Sequence, residues 1–238
     1  MIRENYRKEN ETITMLRKSK AMASTGLKIT ALVTGMIGVT LLTGCGSNRP
    51  PVALAIVLDT SGSAWENRER GFQYLQTILQ GGYLPKGSTL ALVRCGRDSK
   101  IIWEGRVKEN AEILAAYQET VQTEQKSGTD VVTSLTLSRN WLATQREQGI
   151  KQTILTGWTD LQADPAKEGS RVLRAFKPAD TMTWPASKGV NVIFFGVPPE
   201  QAAPLKKRWQ MSLASVTLYS PAHRIRPEDL GLTKGAAF

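Results

Sequence analysis

The chain has 238 residues and a formal net charge of +10, from 31 Lys and Arg against 21 Asp and Glu. Its single histidine, His223, lies near the end of the chain, so a Ser-His-Asp relay has no obvious base. The basic surplus is not arranged for nucleic acid: no aromatic-interleaved stripe appears, and the one dense run, Lys206-Lys207-Arg208, falls on a predicted helix as a solvated face.

Residues 1–28 carry seven Lys or Arg against three Glu, and Ile29 to Leu42 follows without a charge, ending in Leu42-Thr43-Gly44-Cys45. A basic region, a short apolar region and small residues before a cut describe a secretory signal. The apolar stretch of 14 residues is shorter than the roughly 20 that a spanning helix needs. An uncleaved anchor helix is the plainer alternative. The segment resembles the bacterial lipoprotein signal. That resemblance implies lipidation of Cys45 as the new first residue, a lipid bilayer as one partner, and a place in the bacterial cell envelope. Gly46 after the cysteine goes, in that family, with the outer membrane, facing the periplasm or the surface. A start at Met15 gives the more ordinary leader Met15-Leu16-Arg17-Lys18-Ser19-Lys20, with residues 1–14 not translated. A peptide from Glu4 to Arg7 in mass spectrometry would refute that start.

The expected organisation is therefore a signal over 1–44, a lipidated tether over 45–51, one domain over 52–220 and a short tail over 221–238. Taking 44 from 238 leaves 194 residues, enough for one proper core. With Cys45 lipidated, Cys95 stands alone and no intramolecular disulfide is available. Cys95 ends an apolar strand and reads as a buried small hydrophobe, a reactive thiol being the alternative.

Val52 to Leu58 is an unbroken apolar run, too short for a typical helix and suited to a strand buried on both faces. Ala64 to Gln80 follows as a helix, with Trp65, Phe72, Leu75 and Leu79 at helical spacing, stopped by Gly81-Gly82. Strands are predicted over Thr89–Cys95 and Lys100–Gly105, and the short stretch between them makes a hairpin. Helices over Glu109–Glu124 and Val131–Gln148 come next, then a strand centred on Thr153–Leu155. A helix over Ala166–Lys177, a strand over Val190–Val197, a helix over Glu200–Leu213 and a strand over Ser215–Tyr219 complete the series.

Strands alternating with helices imply right-handed crossovers and a mostly parallel sheet. The expected fold class is α/β, a doubly wound, Rossmann-like six-stranded sheet of order 3-2-1-4-5-6, its third strand antiparallel and helices on both faces. In that order the first and fourth strands are neighbours. Their carboxyl ends carry Asp59-Thr60-Ser61-Gly62-Ser63 and Thr159-Asp160, at the switch point where such sheets bind ligands.

Asp59, Ser61, Ser63, Thr129 and Asp160 then offer carboxylate and hydroxyl oxygens from three loops. Hard donors of this kind suit Mg²⁺ or Mn²⁺, with a position left over on the ion. Plainer roles stand beside this one: Ser61 and Ser63 as caps of the following helix, Thr129 or Asp130 as a cap, Asp160 as a turn residue.

These residues, in this order and at these strand ends, resemble the von Willebrand factor type A domain with its metal-ion-dependent adhesion site, across residues 50–220. The resemblance implies that Ser61, Ser63 and Thr129 bind the ion directly, Asp59 and Asp160 directly or through water, and that a partner protein's carboxylate takes the open position. Trp65 and Trp158 are expected at the rim as anchors for the partner, Trp65 in the core being the alternative. Arg97, past the second strand, is expected to pair with the partner's acid. Shape-changing members of the family slide a long last helix. Here Pro221, Pro227, Gly231 and Gly235 limit any helix after the last strand to a turn or two, so a largely fixed site is expected.

The function expected is a membrane-tethered, metal-dependent protein-binding module, not an enzyme, whose partner is another envelope protein. A metal-assisted phospho- or ester hydrolase is the alternative, with Ser61 or Asp59 as nucleophile. The chain holds no GxSxG elbow, no Gly-rich phosphate loop and no second aspartate of the haloacid-dehalogenase type. A structural domain with a vestigial site is the third reading.

Overall fold

The computed structural model describes residues 49–62, 65–96, 98–108, 110–122, 129–162, 182–183 and 188–234. The chain divides into two units, Met1–Thr43 and Gly44–Phe238, the first of which lies wholly outside the described residues. Within the second unit six strands form one sheet of order β3-β2-β1-β4-β5-β6. They are β1 Val52–Asp59, β2 Thr89–Cys95, β3 Lys100–Arg106, β4 Gln152–Trp158, β5 Val190–Phe195 and β6 Ser215–Tyr219. All neighbours pair in parallel except β2 and β3. The fold class read from the sequence is the one observed.

β1 is buried at every position, because both faces of the sheet are covered. Its alternate residues enter two cores. Ala53, Ala55 and Val57 pack with Val131, Leu135 and Leu142 of a helix α3 (Val131–Glu147) and Trp209 of α4 (Pro199–Trp209). Leu54, Ile56 and Leu58 pack on the opposite side with Leu75 and Ile78 of α1 (Trp65–Gln80) and Ile113 and Tyr117 of α2 (Asn110–Gln122). A strand with apolar residues at every position suits such a sandwich, and one with polar alternation does not.

Among the described residues two ends differ from the sequence expectation by more than one residue. β5 stops at Phe195 instead of Val197, since Gly196 takes φ of 89° and breaks the extended run. α4 stops at Trp209 instead of Leu213. Trp209 is fully buried, and the N–H groups of Ser212 and Leu213 both fold back onto its carbonyl. The helix expected over 166–177 lies outside the described residues.

The register sets Trp158 of β4 opposite Phe195 of β5, and Phe195 opposite Tyr219 of β6. The three rings stack in a row, with centroids 5.8 Å and 5.1 Å apart, and His223 stacks on Tyr219 at 3.9 Å. Tyr74 of α1 meets Trp158 edge-on at 5.3 Å. After β6 the chain makes one 3-10 turn, Pro227–Leu230, and no longer helix follows in the described residues. The tail closes the α1 side of the sheet: Leu230 and Leu232 are buried there, and the Tyr74 hydroxyl donates to the Arg226 carbonyl at 3.2 Å. Asp229 accepts from the Arg226 N–H at 2.8 Å and meets the His223 ring at 3.0 Å, which holds the turn in place.

Candidate metal site

The carboxyl ends of β1, β2 and β4 are tied to one another and to the start of α3. Asp59 lies opposite Cys95 in the β1–β2 pairing, and Leu58 opposite Trp158 in the β1–β4 pairing. Both the N–H and the hydroxyl of Thr60 donate to the Cys95 carbonyl, at 2.9 Å and 3.0 Å. The Asp130 N–H donates to the Gly96 carbonyl at 3.1 Å, and the Ser99 hydroxyl to the Asp130 carbonyl at 2.9 Å. The Thr159 N–H donates to the Phe195 carbonyl at 3.0 Å, so the loop after β4 is anchored to β5. Asp59, Ser61, Thr129 and Asp160 thus stand on connected backbone along one edge of the sheet.

Asp59 is 4% exposed, and its two oxygens differ. Oδ1 accepts from the Ser61 N–H at 2.9 Å, while Oδ2 is enclosed with no hydrogen-bond partner among the described residues. Burial pushes its carboxyl above the usual carboxylate value; the Asp160 charge adds to the rise, and the neighbouring Ser61 and Thr159 hydroxyls oppose it. An enclosed carboxylate oxygen without a donor is costly unless a cation or proton reaches it. Asp160 is half-exposed and repeats the local turn of Asp59, its Oδ1 accepting from the Gln162 N–H at 2.9 Å. Leu161, between Asp160 and Gln162, takes φ of 57°, a left-handed backbone, and its side chain is buried in the core on the α3 side of the sheet.

Thr129 is buried immediately before α3, and the cap of that helix falls to Asp130, whose Oδ1 accepts from the Thr133 N–H at 2.9 Å. Of the two cap readings, Asp130 is therefore the one realised. Ser63, Arg97 and Cys45 lie outside the described residues, as does the side chain of Trp65, whose backbone opens α1.

Trp158 is not at the rim. It is 4% exposed and packed among Tyr74, Phe195 and Leu58, so the anchoring role expected of it is not one its position allows. The cause is strand parity. Positions 154, 156 and 158 of β4 alternate with 155 and 157, and Ile154 already belongs to the α1 side.

Arg68, which the sequence reading passed over, holds the donor loop. Its guanidinium donates to the Thr60 carbonyl, to the Ser61 carbonyl at 3.2 Å and to the Val121 carbonyl at 3.4 Å, while the Tyr117 hydroxyl donates to its own carbonyl at 2.8 Å. An arginine one turn into the helix at the spacing of its apolar residues, Arg68 with Phe72, Leu75 and Leu79, is the signal that was there to be read. One turn of helix after the loop, such a side chain reaches back over its start.

The donors are carboxylates and hydroxyls, the set that suits a hard divalent cation. Among the described residues no three Cys, His, Asp or Glu side chains gather as a metal cage, so any ion here depends on hydroxyls and water for part of its shell. The unpartnered Oδ2 of Asp59 fits such an ion.

The sequence matches no family model and no curated protein. Solved structures do match it. The PilB minor pilin of Streptococcus sanguinis aligns at a TM-score of 0.55 and 15% identity, over 77% of this chain and 59% of that one. The likeness is one of fold. An aerotolerance-related membrane protein of Bacteroides fragilis aligns at 0.51 and 11% identity, over 76% of this chain and 96% of its own. The pilus adhesin SpaC of Lactobacillus rhamnosus GG aligns at 0.50 and 13% identity, over 77% of this chain and 29% of the adhesin. The chain thus spans about three fifths of the minor pilin and under a third of the adhesin.

Proposed function

We propose that this domain is a divalent-cation-dependent protein-binding module displayed at the bacterial cell envelope. Asp59, Ser61, Ser63, Thr129 and Asp160 are the residues that would hold Mg²⁺ or Mn²⁺, and an acidic side chain of a partner protein would complete the shell. The observation that carries the reading is the Oδ2 of Asp59, enclosed and without a donor at the switch point of the sheet. Hydroxyl ligands bring no charge, so an ion held largely by them stays electrophilic and favours an outside carboxylate.

The fold likeness to a minor pilin and to a pilus adhesin supports an adhesive role. The signal ending in Cys45 supports a lipid anchor. Among the described residues no helix is long and apolar enough to cross a membrane.

Isothermal titration of Mg²⁺ and of Mn²⁺ into the protein, with Asp59→Ala as control, tests the site. One ion per chain, lost in the variant, is expected; no heat and no thermal shift with either ion would sink the reading. Capture of envelope proteins with Mg²⁺ and with chelator then tests the partner.

A further inference from the structure

The opposite edge of the sheet, where the parallel strands begin, is lined with exposed bases. Lys86 precedes β2, Lys151 precedes β4 and Lys188 precedes β5. Because β3 runs the other way, its end brings Arg106 and Lys108 to the same edge, with the Val107 N–H bonded to the Ser88 carbonyl beside β2. α4 descends to this edge as well. Its last turn is Lys206, Lys207 and Arg208, and the following Ala214 N–H joins the Val190 carbonyl at the start of β5. Against these stand Glu112 in the first turn of α2, Glu147 at the end of α3 and Glu104, two residues before Arg106 on β3. The other edge mixes Asp59, Asp98, Asp130, Asp160 and Glu200 with its bases.

Both described chain ends meet at the basic edge. Arg49 donates to the Gly82 carbonyl at 2.9 Å, to the Tyr83 carbonyl and to the Thr233 carbonyl, which fixes it below β1 with Lys234 beside it. Four residue steps along the chain separate Cys45 from Arg49, a reach of at most about 14 Å.

We propose that this basic edge rests on an anionic lipid surface, with the candidate metal site at the far edge turned away from it. The charge sign matches an acidic headgroup layer, and the number of exposed bases is of the size that holds polybasic segments to such layers. Any lipid on Cys45 would then lie within reach of the surface the lysines contact. Attraction by lysines falls off within a Debye length, about 8 Å at ~0.15 M salt, so contact needs a short tether of this kind. Met211, 87% exposed just past the last turn of α4, adds an apolar tip among the bases. The inference borrows only the envelope setting from the function proposed above and does not depend on the ion.

The test uses the mature chain, residues 45–238 carrying Cys45→Ser, so that neither lipid nor the basic, apolar leader contributes, in the presence of chelator. Partition onto phosphatidylcholine vesicles is compared with partition onto vesicles holding about 30 mol% phosphatidylglycerol. The parent is expected to favour the anionic vesicles and to lose that preference as salt rises. Lys151→Gln, Lys188→Gln, Lys206→Gln and Lys207→Gln together should lower anionic partition by tenfold or more and leave neutral partition unchanged. All four side chains are exposed; should the combined variant not fold, the salt dependence of the parent decides alone. Equal partition of parent and folded variant, or a parent indifferent to lipid charge or to salt, overturns the proposal. A parent retained on a soluble polyanion such as heparin but not on anionic vesicles also overturns it, and assigns the edge to a polymer. Because chelator is present here and vesicles are absent from the ion titration, either reading can fail without the other.

Discussion

Arg68 reaches back across the start of α1 to the Thr60 carbonyl, the residue between the carboxylate Asp59 and the hydroxyl of Ser61. The donor loop is therefore clamped from the helix that follows it, and the far side of the clamp is the Val121 carbonyl near the end of α2. Replacing Arg68 by Met keeps the stem and removes every N–H donor. Buried carbonyls left without donors cost about 1–3 kcal/mol each, so a loss of a few kcal/mol in urea unfolding is expected. Weaker Mg²⁺ binding should accompany it, since the loop is no longer fixed. An unchanged unfolding midpoint would show that the clamp carries no load.

Asp59 yields a pH prediction whose sign can be worked out. Its folded carboxyl titrates above the usual value because burial disfavours the charge. As pH rises out of the ordinary carboxylate range, the unfolded chain gives up this proton first. The folded state then binds more protons, and stability falls with rising pH. Asp59→Asn stays neutral throughout. With chelator present, the variant should melt above the parent at pH 7 and close to it at pH 4, and added Mg²⁺ should reverse the order at pH 7 by stabilising the parent alone. A gain of equal size at both pH values would contradict the account.

Gly157 sits in β4 where a Cβ would stand 2.6 Å from the Val57 carbonyl oxygen and 2.9 Å from the Val57 Cβ. Backbone in a central strand cannot step aside cheaply. Gly157→Ala is expected to cost about 1–3 kcal/mol, read as a drop in thermal midpoint without loss of the α/β circular dichroism spectrum. A wild-type midpoint would mean that β1 and β4 are spaced more widely than described.

The tail is part of the core on the α1 side. Leu230 is 3% exposed and packs there with Leu232. Leu230→Ala should destabilise by about 2–5 kcal/mol, the range for a buried leucine. Removal of residues 221–238 should go further and expose the ring stack of Phe195 and Tyr219, raising binding of a hydrophobic dye. Neither effect is expected if the tail merely lies along the surface.

The order of the sheet, the antiparallel β3 and most helix spans were legible because they rest on local signals. Apolar runs bounded by turn residues give strands, period-3.6 stripes give helices, and the handedness of crossovers leaves few ways to arrange them. The places of Asp59, Ser61, Thr129 and Asp160 were legible for the same reason: each ends or follows a strand or stands just before a helix. Helix α4 was read too long because Leu213 continues the apolar spacing. Its end is decided by Trp209, which is drawn into the core beside Phe194.

By itself the sequence determined which segments are strands, their order, and that oxygen-bearing side chains gather where β1 and β4 end. Only the tertiary structure decided that Trp158 faces inward in a ring stack, that Arg68 grips the donor loop and that the tail closes the α1 side. It also showed that bases from β3, α4, four separate connections and both described chain ends converge on one edge. The first group depends on periodicity within a dozen residues. The second depends on which residues lie opposite one another across strands far apart in the chain, and that follows from register and packing alone.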